Sequence, residues 1–132
     1  MADEIIVNDG GAPARIIPFI ANETIAAGDY VKLHTNGQIM PARASGNIGL
    51  GVSLTAATSG NVVNCVTGKG VLLKTFVSGA LNPGAKLWLE GTEMCLVHAT
   101  GDIAKWHVVA TFAETEAYAG SGVAPALKKV FF

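Results

Sequence analysis

The run Ile48-Gly49-Leu50-Gly51-Val52-Ser53-Leu54 alternates strictly between apolar and small residues. Ile48, Leu50, Val52 and Leu54 share one face, and Gly49, Gly51 and Ser53 share the other. A period of two is the geometry of a strand with one buried face. The glycine face lets another strand or backbone come close. Working outward, the small-residue turn Thr55 to Gly60 leads to a second strand, Asn61 to Thr67. Gly68-Lys69-Gly70 then predicts a hairpin into a third strand, Val71 to Val77. After Ser78-Gly79 and the breaker Asn82-Pro83-Gly84 comes a fourth, Ala85 to Glu90. These runs predict an all-β fold, a compact antiparallel β-barrel or sandwich. Its core is expected to hold Ile48, Leu50, Val52, Leu54, Leu87, Leu89, Trp106 and Val108.

Upstream, Ile16 to Ala21 reads as a strand, and Pro18 favours an edge position. Asp29 to His34 and Gln38 to Ala42 flank Asn36-Gly37, a strong short hairpin signal. The region after Pro83 repeats this grammar. Gly84-Ala85-Lys86-Leu87-Trp88-Leu89 parallels Gly28-Asp29-Tyr30-Val31-Lys32-Leu33, with Glu90-Gly91 in the place of Asn36-Gly37. Met94 to His98 returns, and Lys105 to Phe112 stands where Ile48 to Leu54 stood. Gly60-Asn61-Val62-Val63 is a weaker third echo. Glu114 to Gly122 reads as a short helical turn or a loop. Ala124 to Phe132 closes the chain as a strand, and Phe131-Phe132 is expected to pack into the body or a partner.

Residues 1–14 read as an extended N-terminal arm, and residues 15–132 as the β-barrel body. In the arm, Ile5-Ile6-Val7 is apolar, and Asn8 to Pro13 has the composition of a linker. Such a run either frays or pairs with another strand. Trp88 shares a strand face with Lys86 and Glu90 and should point outward. It is either covered by a neighbouring loop or exposed as an interface anchor.

Half of the 132 residues are hydrophobic and only 14% are charged. Either the sheets are apolar on both faces, or some surface is buried in an oligomer. The net charge of −1 gives no electrostatic case for nucleic acid or an anionic membrane. No apolar run reaches the roughly 18 to 20 residues that span a bilayer. Met1-Ala2-Asp3-Glu4 is acidic where a signal peptide is basic, so the expectation is a chain made and kept in a cytoplasm until assembly. Cys65 and Cys95 allow one disulfide arithmetically, and free buried thiols are the favoured state.

No catalytic or metal-binding motif is legible, and no cofactor is implied. His34, His98 and His107 lie in three separate predicted strands without metal-ligand spacing. Gly68-Lys69-Gly70 lacks the flanking residues of a phosphate loop. No GxSxG elbow exists. Glu114 and Glu116 have no context that would make them an acid/base pair.

The order of features from Ile20 to Phe112 resembles the small head decoration, or cement, proteins of tailed bacteriophages. The stretches that carry the resemblance are Ala27-Gly28-Asp29-Tyr30-Val31, Ile48 to Leu54, Gly60-Asn61-Val62-Val63, Gly70-Val71-Leu72 and Asn82-Pro83-Gly84-Ala85-Lys86-Leu87-Trp88. The resemblance implies a barrel-like body on the outer surface of a virion capsid. It implies a homotrimer, bound to the major capsid protein, that stabilises the head without an active site. By the same analogy Ile5, Ile6 and Val7 would form a capsid-binding arm. Trp88, Phe131 and Phe132 are the further candidates for an interface. The alternative is a carbohydrate- or surface-binding β-module with Trp88 and Tyr30 as stacking platforms.

Overall fold

The computed structural model describes residues 5–8, 15–42, 49–67, 71–90, 95–98, 110–120 and 124–132. Among them the regular structure is entirely β. In chain order the strands are β1 (Ile6–Asn8), β2 (Arg15–Ile20), β3 (Tyr30–Leu33), β4 (Ile39–Pro41), β5 (Gly51–Ser53), β6 (Val62–Thr67) and β7 (Leu72–Val77). They continue with β8 (Gly79–Leu81), β9 (Lys86–Glu90), β10 (Cys95–His98), β11 (Ala110–Phe112), β12 (Tyr118–Gly120) and β13 (Ala126–Phe131). One sheet has the order β2-β6-β5-β3-β4. A second has the order β1-β7-β10-β9-β11-β13, with a further β7–β13 pairing, and β8 pairs with β12. All strand pairings are antiparallel except β7–β10, which meets in parallel at Leu96 and Val77.

Two apolar clusters explain the composition. The main one lies between the sheets. Tyr30, Val52 and Val66 come from the five-stranded sheet, and Leu73, Val77, Leu87, Leu89, Leu96, Phe112 and Val130 from the six-stranded one. The second lies on the other face of the five-stranded sheet. There Val31, Ile39, Val63 and Cys65 pack against Ala21 and Ile25. That sheet is therefore apolar on both faces, which is the first of the two readings of the composition.

The internal repeat is real and is built on one device. Three four-residue turns close through a backbone bond from the fourth N–H to the first carbonyl. They are Asp29 to Ala26 (3.1 Å), Asn61 to Thr58 (3.1 Å) and Ala85 to Asn82 (3.0 Å). Each has glycine third, at φ 95° for Gly28, 87° for Gly60 and 83° for Gly84. Positive φ at that position is the pattern of a type II turn, and glycine adopts it without a steric penalty. Each turn then clamps one residue of a neighbouring strand or its continuation. The Gly28 N–H donates to Ser53 O (2.8 Å), and the Ser53 N–H to Asp29 O (2.9 Å). The Gly60 and Ala21 N–H groups do the same with Ala21 O and Asn61 O (2.8 and 2.9 Å). The Gly84 and Phe112 N–H groups do so with Phe112 O and Ala85 O (2.9 and 2.8 Å). Two residues opposing one, led by a left-handed glycine, is a bulge of the G1 kind. The registers agree as well: Tyr30 faces Val52 as Lys86 faces Thr111 and as Val62 faces Ile20.

Gly28 also ties the sheets together. Its carbonyl accepts from the buried Thr75 Oγ1 (2.7 Å) and from the Phe76 N–H (3.3 Å) on β7.

Several expectations change. The stretch 48–54 is not one strand: β5 runs only from Gly51 to Ser53, and all three residues are buried. Leu50 precedes the strand, so alternation does not govern it, and it packs half-buried on the second cluster instead of the first. Val52, Leu87 and Leu89 are core as expected, and Leu54 packs half-buried against the main cluster. Ile48, Trp106 and Val108 lie outside the described residues, as do Gly68-Lys69-Gly70. The strands flanking those glycines do not form a hairpin. β6 has β2 on one edge and β5 on the other, so β7 joins the second sheet. Glu114 to Gly122 contains no described helix; β12 pairs there with β8, a segment to which the sequence reading gave no element. The close approach expected on the glycine face is present. A Cβ built on Gly51 would lie 1.9 Å from Val66 O, and one on Gly49 2.2 Å from Val31 O.

Candidate functional site

The first candidate from sequence was Ile5-Ile6-Val7. In the structure β1 pairs with β7 of its own chain, Ile6 facing Leu73 and Asn8 facing Leu72. The Lys74 N–H donates to Ile5 O at 2.8 Å, and Ile5 is only 2% exposed within the main core. Ile5 to Asn8 are thus seated on the body.

Trp88 is half-buried on β9, between the buried Leu87 and Leu89, as its strand face predicts. Phe131 and Phe132 part company. Phe132 turns inward, its ring 6.1 Å from that of Tyr30 at an interplanar angle of 16° and its N–H donating to Val71 O. Phe131 is 47% exposed. Tyr30 is itself buried, and its hydroxyl accepts the Gly49 N–H. Burial holds that phenol above its ordinary range. Tyr30 therefore cannot serve as a stacking platform for a sugar.

Sequence reasoning missed an exposed apolar surface built from four large aliphatic side chains. It lies at the edge of the five-stranded sheet, where among the described strands β2 pairs only with β6. Ile16 is 52% exposed, Ile20 38% and Val62 60%, and Ile17 is also exposed. Ile20 and Val62 are direct cross-strand neighbours. Shallow depressions of about 380 and 440 Å³ flank Val62, one bordered by Pro18, Phe19, Ile20, Asn36 and Gln38, the other by Thr24, Ala57, Thr58 and Asn61. The available signal was Ile16-Ile17-Pro18-Phe19-Ile20, an apolar run with no polar face around an edge-marking proline.

Among the described residues no catalytic arrangement is assembled. Among the described residues no group of three or more His, Cys, Asp or Glu could hold a metal. His34 Nδ1 accepts the Asn36 N–H (3.3 Å) within its own hairpin. Cys65 is a free thiol, and burial pushes it up to about 12, so it is protonated and unreactive at neutral pH. Glu114 is engaged with Lys129, accepting its backbone N–H at 2.9 Å and lying 3.7 Å from its ammonium. Among the described residues no helix is long and apolar enough to cross a membrane. What the surface offers is contact area.

No family model matches the chain, and no curated protein sequence does. Among solved structures it is similar to the head fiber gp8.5 N base in bacteriophage phi29. The TM-score is 0.66 at 15% identity, over 91% of this chain and 94% of that one. At that identity the likeness is one of fold, and it extends over nearly the whole of both chains.

Proposed function

We propose that this chain is a structural protein of a bacteriophage virion, attached to the outside of the head, where it adds contacts that stabilise the shell. The observation that carries the reading is the fold it shares, almost end to end, with the base of a phage head fiber. Decoration is the role taken here because the order of strands and glycine-led turns resembles the small head decoration proteins. In this reading the chain acts as a homo-oligomer, a trimer by the family resemblance, on the major capsid protein. The body is taken as a compact barrel, which the return of β13 to β7 over six register pairs supports. Ile5, Ile6 and Val7 contribute from their seat on β7 rather than as a free tether, and Trp88 and the exposed Phe131 are further contact candidates.

A clamp of this kind stabilises the assembled lattice by mass action, because it binds the lattice better than free subunits. Several weak contacts per oligomer then act together through avidity. The experiment is co-sedimentation of the purified chain with emptied phage heads that lack it, followed by thermal rupture. Saturable binding and a raised rupture temperature are expected. Absence of binding to any head form contradicts the proposal.

A further inference from the structure

We infer that the aliphatic corner around Ile20 and Val62 is the surface through which copies of this chain meet one another, an inference that rests on the self-association proposed above.

The backbone first limits how anything can dock there. The Ala21 N–H bonds to Asn61 O across the β2–β6 register. Counting back by the antiparallel alternation, Phe19, Ile17 and Arg15 turn their backbone groups toward β6, and Ile16, Pro18 and Ile20 turn theirs outward. Pro18 has no N–H to offer. Just past Ile20 the outer edge is closed by β4, where the Asn22 N–H donates to Ile39 O (2.8 Å). An added strand would find only two outward donors, Ile16 and Ile20, with the proline between them and β4 beginning just beyond. Edge-to-edge strand addition is therefore disfavoured, and contact must come through side chains.

Those side chains are apolar and uncharged. Ile16, Pro18, Ile20 and Val62 share a sheet face. Around them the rim is amides and hydroxyls held in place by one another. Asn36 Nδ2 donates to Asn22 Oδ1 (3.1 Å) and Gln38 Oε1 (3.2 Å), and Asn61 Nδ2 donates to Thr58 Oγ1 (2.6 Å). Among the described residues, the formal charges near it stand at its margins, Arg15 at the start of β2 and the half-buried Glu23.

Charge complementarity selects the occupant. In a cyclic or two-fold assembly, residues at the axis meet their own equivalents, so a charge there faces a like charge and is repelled. An aliphatic centre with a neutral, pre-organised amide rim is complementary to itself. A charged partner surface would lose hydration against Ile20 and Val62 and gain no counter-charge. A membrane would call for several basic residues at the rim; Arg15 stands at its margin, and the side chains bonded around it are amides and hydroxyls. A glycan would call for an exposed aromatic platform, and Phe19, the aromatic that borders this corner, is half-buried against the second cluster. The apolar area is on the order of 300 Å² per copy, near the size of the largest patch on a typical monomer. With its rim it approaches the lower end of specific interfaces, so a micromolar association is expected.

The test is sedimentation equilibrium of the full chain over roughly 1–300 µM, comparing wild type with Val62→Glu, Ile20→Glu and, as a control on a separate surface, Ala119→Glu at the exposed Ala119 of β12. Wild type should associate, with an affinity that does not weaken between about 0.05 and 1 M salt, since no ion pair is involved. Val62→Glu and Ile20→Glu should each raise the dissociation constant by about tenfold or more. Their circular dichroism should be unchanged, and Ala119→Glu should associate as wild type does. If wild type associates and neither corner variant weakens it, or if Ala119→Glu alone does, this surface is the wrong one while self-association stands. If association collapses with salt, the contact is ionic and the assignment is overturned. If wild type is monomeric throughout, the self-association reading falls, and this inference with it. Should one glutamate variant misfold, Val62→Asn, which keeps neutrality but removes the apolar contact, must still weaken association.

Discussion

Ile5 shows how one side chain redefines a segment. Its composition marks a tail, yet its side chain fills the core between the sheets and its carbonyl holds Lys74. Replacing it leaves a cavity the surroundings cannot fully close. Ile5→Ala should therefore cost roughly 2–5 kcal/mol in urea unfolding; a loss under about 0.5 kcal/mol would place Ile5 at the surface. Deleting residues 2–12 should lower stability by at least as much, because the edge of β7 that β1 covers is uncovered too. Cys65 makes a second residue-scale prediction. Its thiol sits near 9.0 when free and is pushed up to about 12 by burial. A raised value means the folded state keeps a proton that the unfolded chain releases. The stabilisation is complete below about pH 9 and declines as pH rises toward 12. Tyr30 shifts in the same direction. The melting temperature should fall across that alkaline window, and Cys65→Ala should fall less steeply than wild type. Equal slopes would show that the buried thiol does not contribute.

Elements explain what was legible in the sequence. The glycine-led starts at Gly28, Gly60 and Gly84 were visible because a left-handed turn position selects glycine, and each does open a strand through the same turn and bulge. Asn36-Gly37 was legible for the same reason: Leu33 faces Ile39 across it, and Gly37 has φ 83°. Pro18 marked a true edge. Pairing between distant strands was not legible, because β-turn chemistry records only that the chain reverses. That is why Gly68-Lys69-Gly70 suggested a hairpin between two strands that lie in different sheets. The β8–β12 pair was hidden in alanine and glycine, which carry no alternation. Of the candidate surfaces, Trp88 followed its strand face, Phe132 turned inward, and the β2–β6 corner was overlooked because an unbroken apolar run reads as buried. The turn device predicts its own measurement. A Cβ at Gly60 meets nothing within 4 Å, so Gly60→Ala isolates the backbone conformation. It should cost about 1–2 kcal/mol in urea denaturation. Gly28→Ala should cost more, since its Cβ would lie 2.4 Å from Leu127 Cδ2. A neutral Gly60→Ala would mean that the turn does not require positive φ.

At the scale of the whole molecule, the described residues use short strands, three repeated clamps and two apolar clusters to build a packed body with an aliphatic corner at β2 and β6. Its described residues offer surfaces to pack against and no assembled reaction centre. That suits a protein whose work is done by occupying a place on a larger particle. The central claim is that this place is a phage head. The most direct measurement is immunogold labelling of a phage lysate, using antibody to this chain in negative-stain electron microscopy. Gold distributed over the outer surface of intact heads is predicted. Gold confined to tails, to host envelopes or to free protein, with unlabelled heads in the same field, would contradict it.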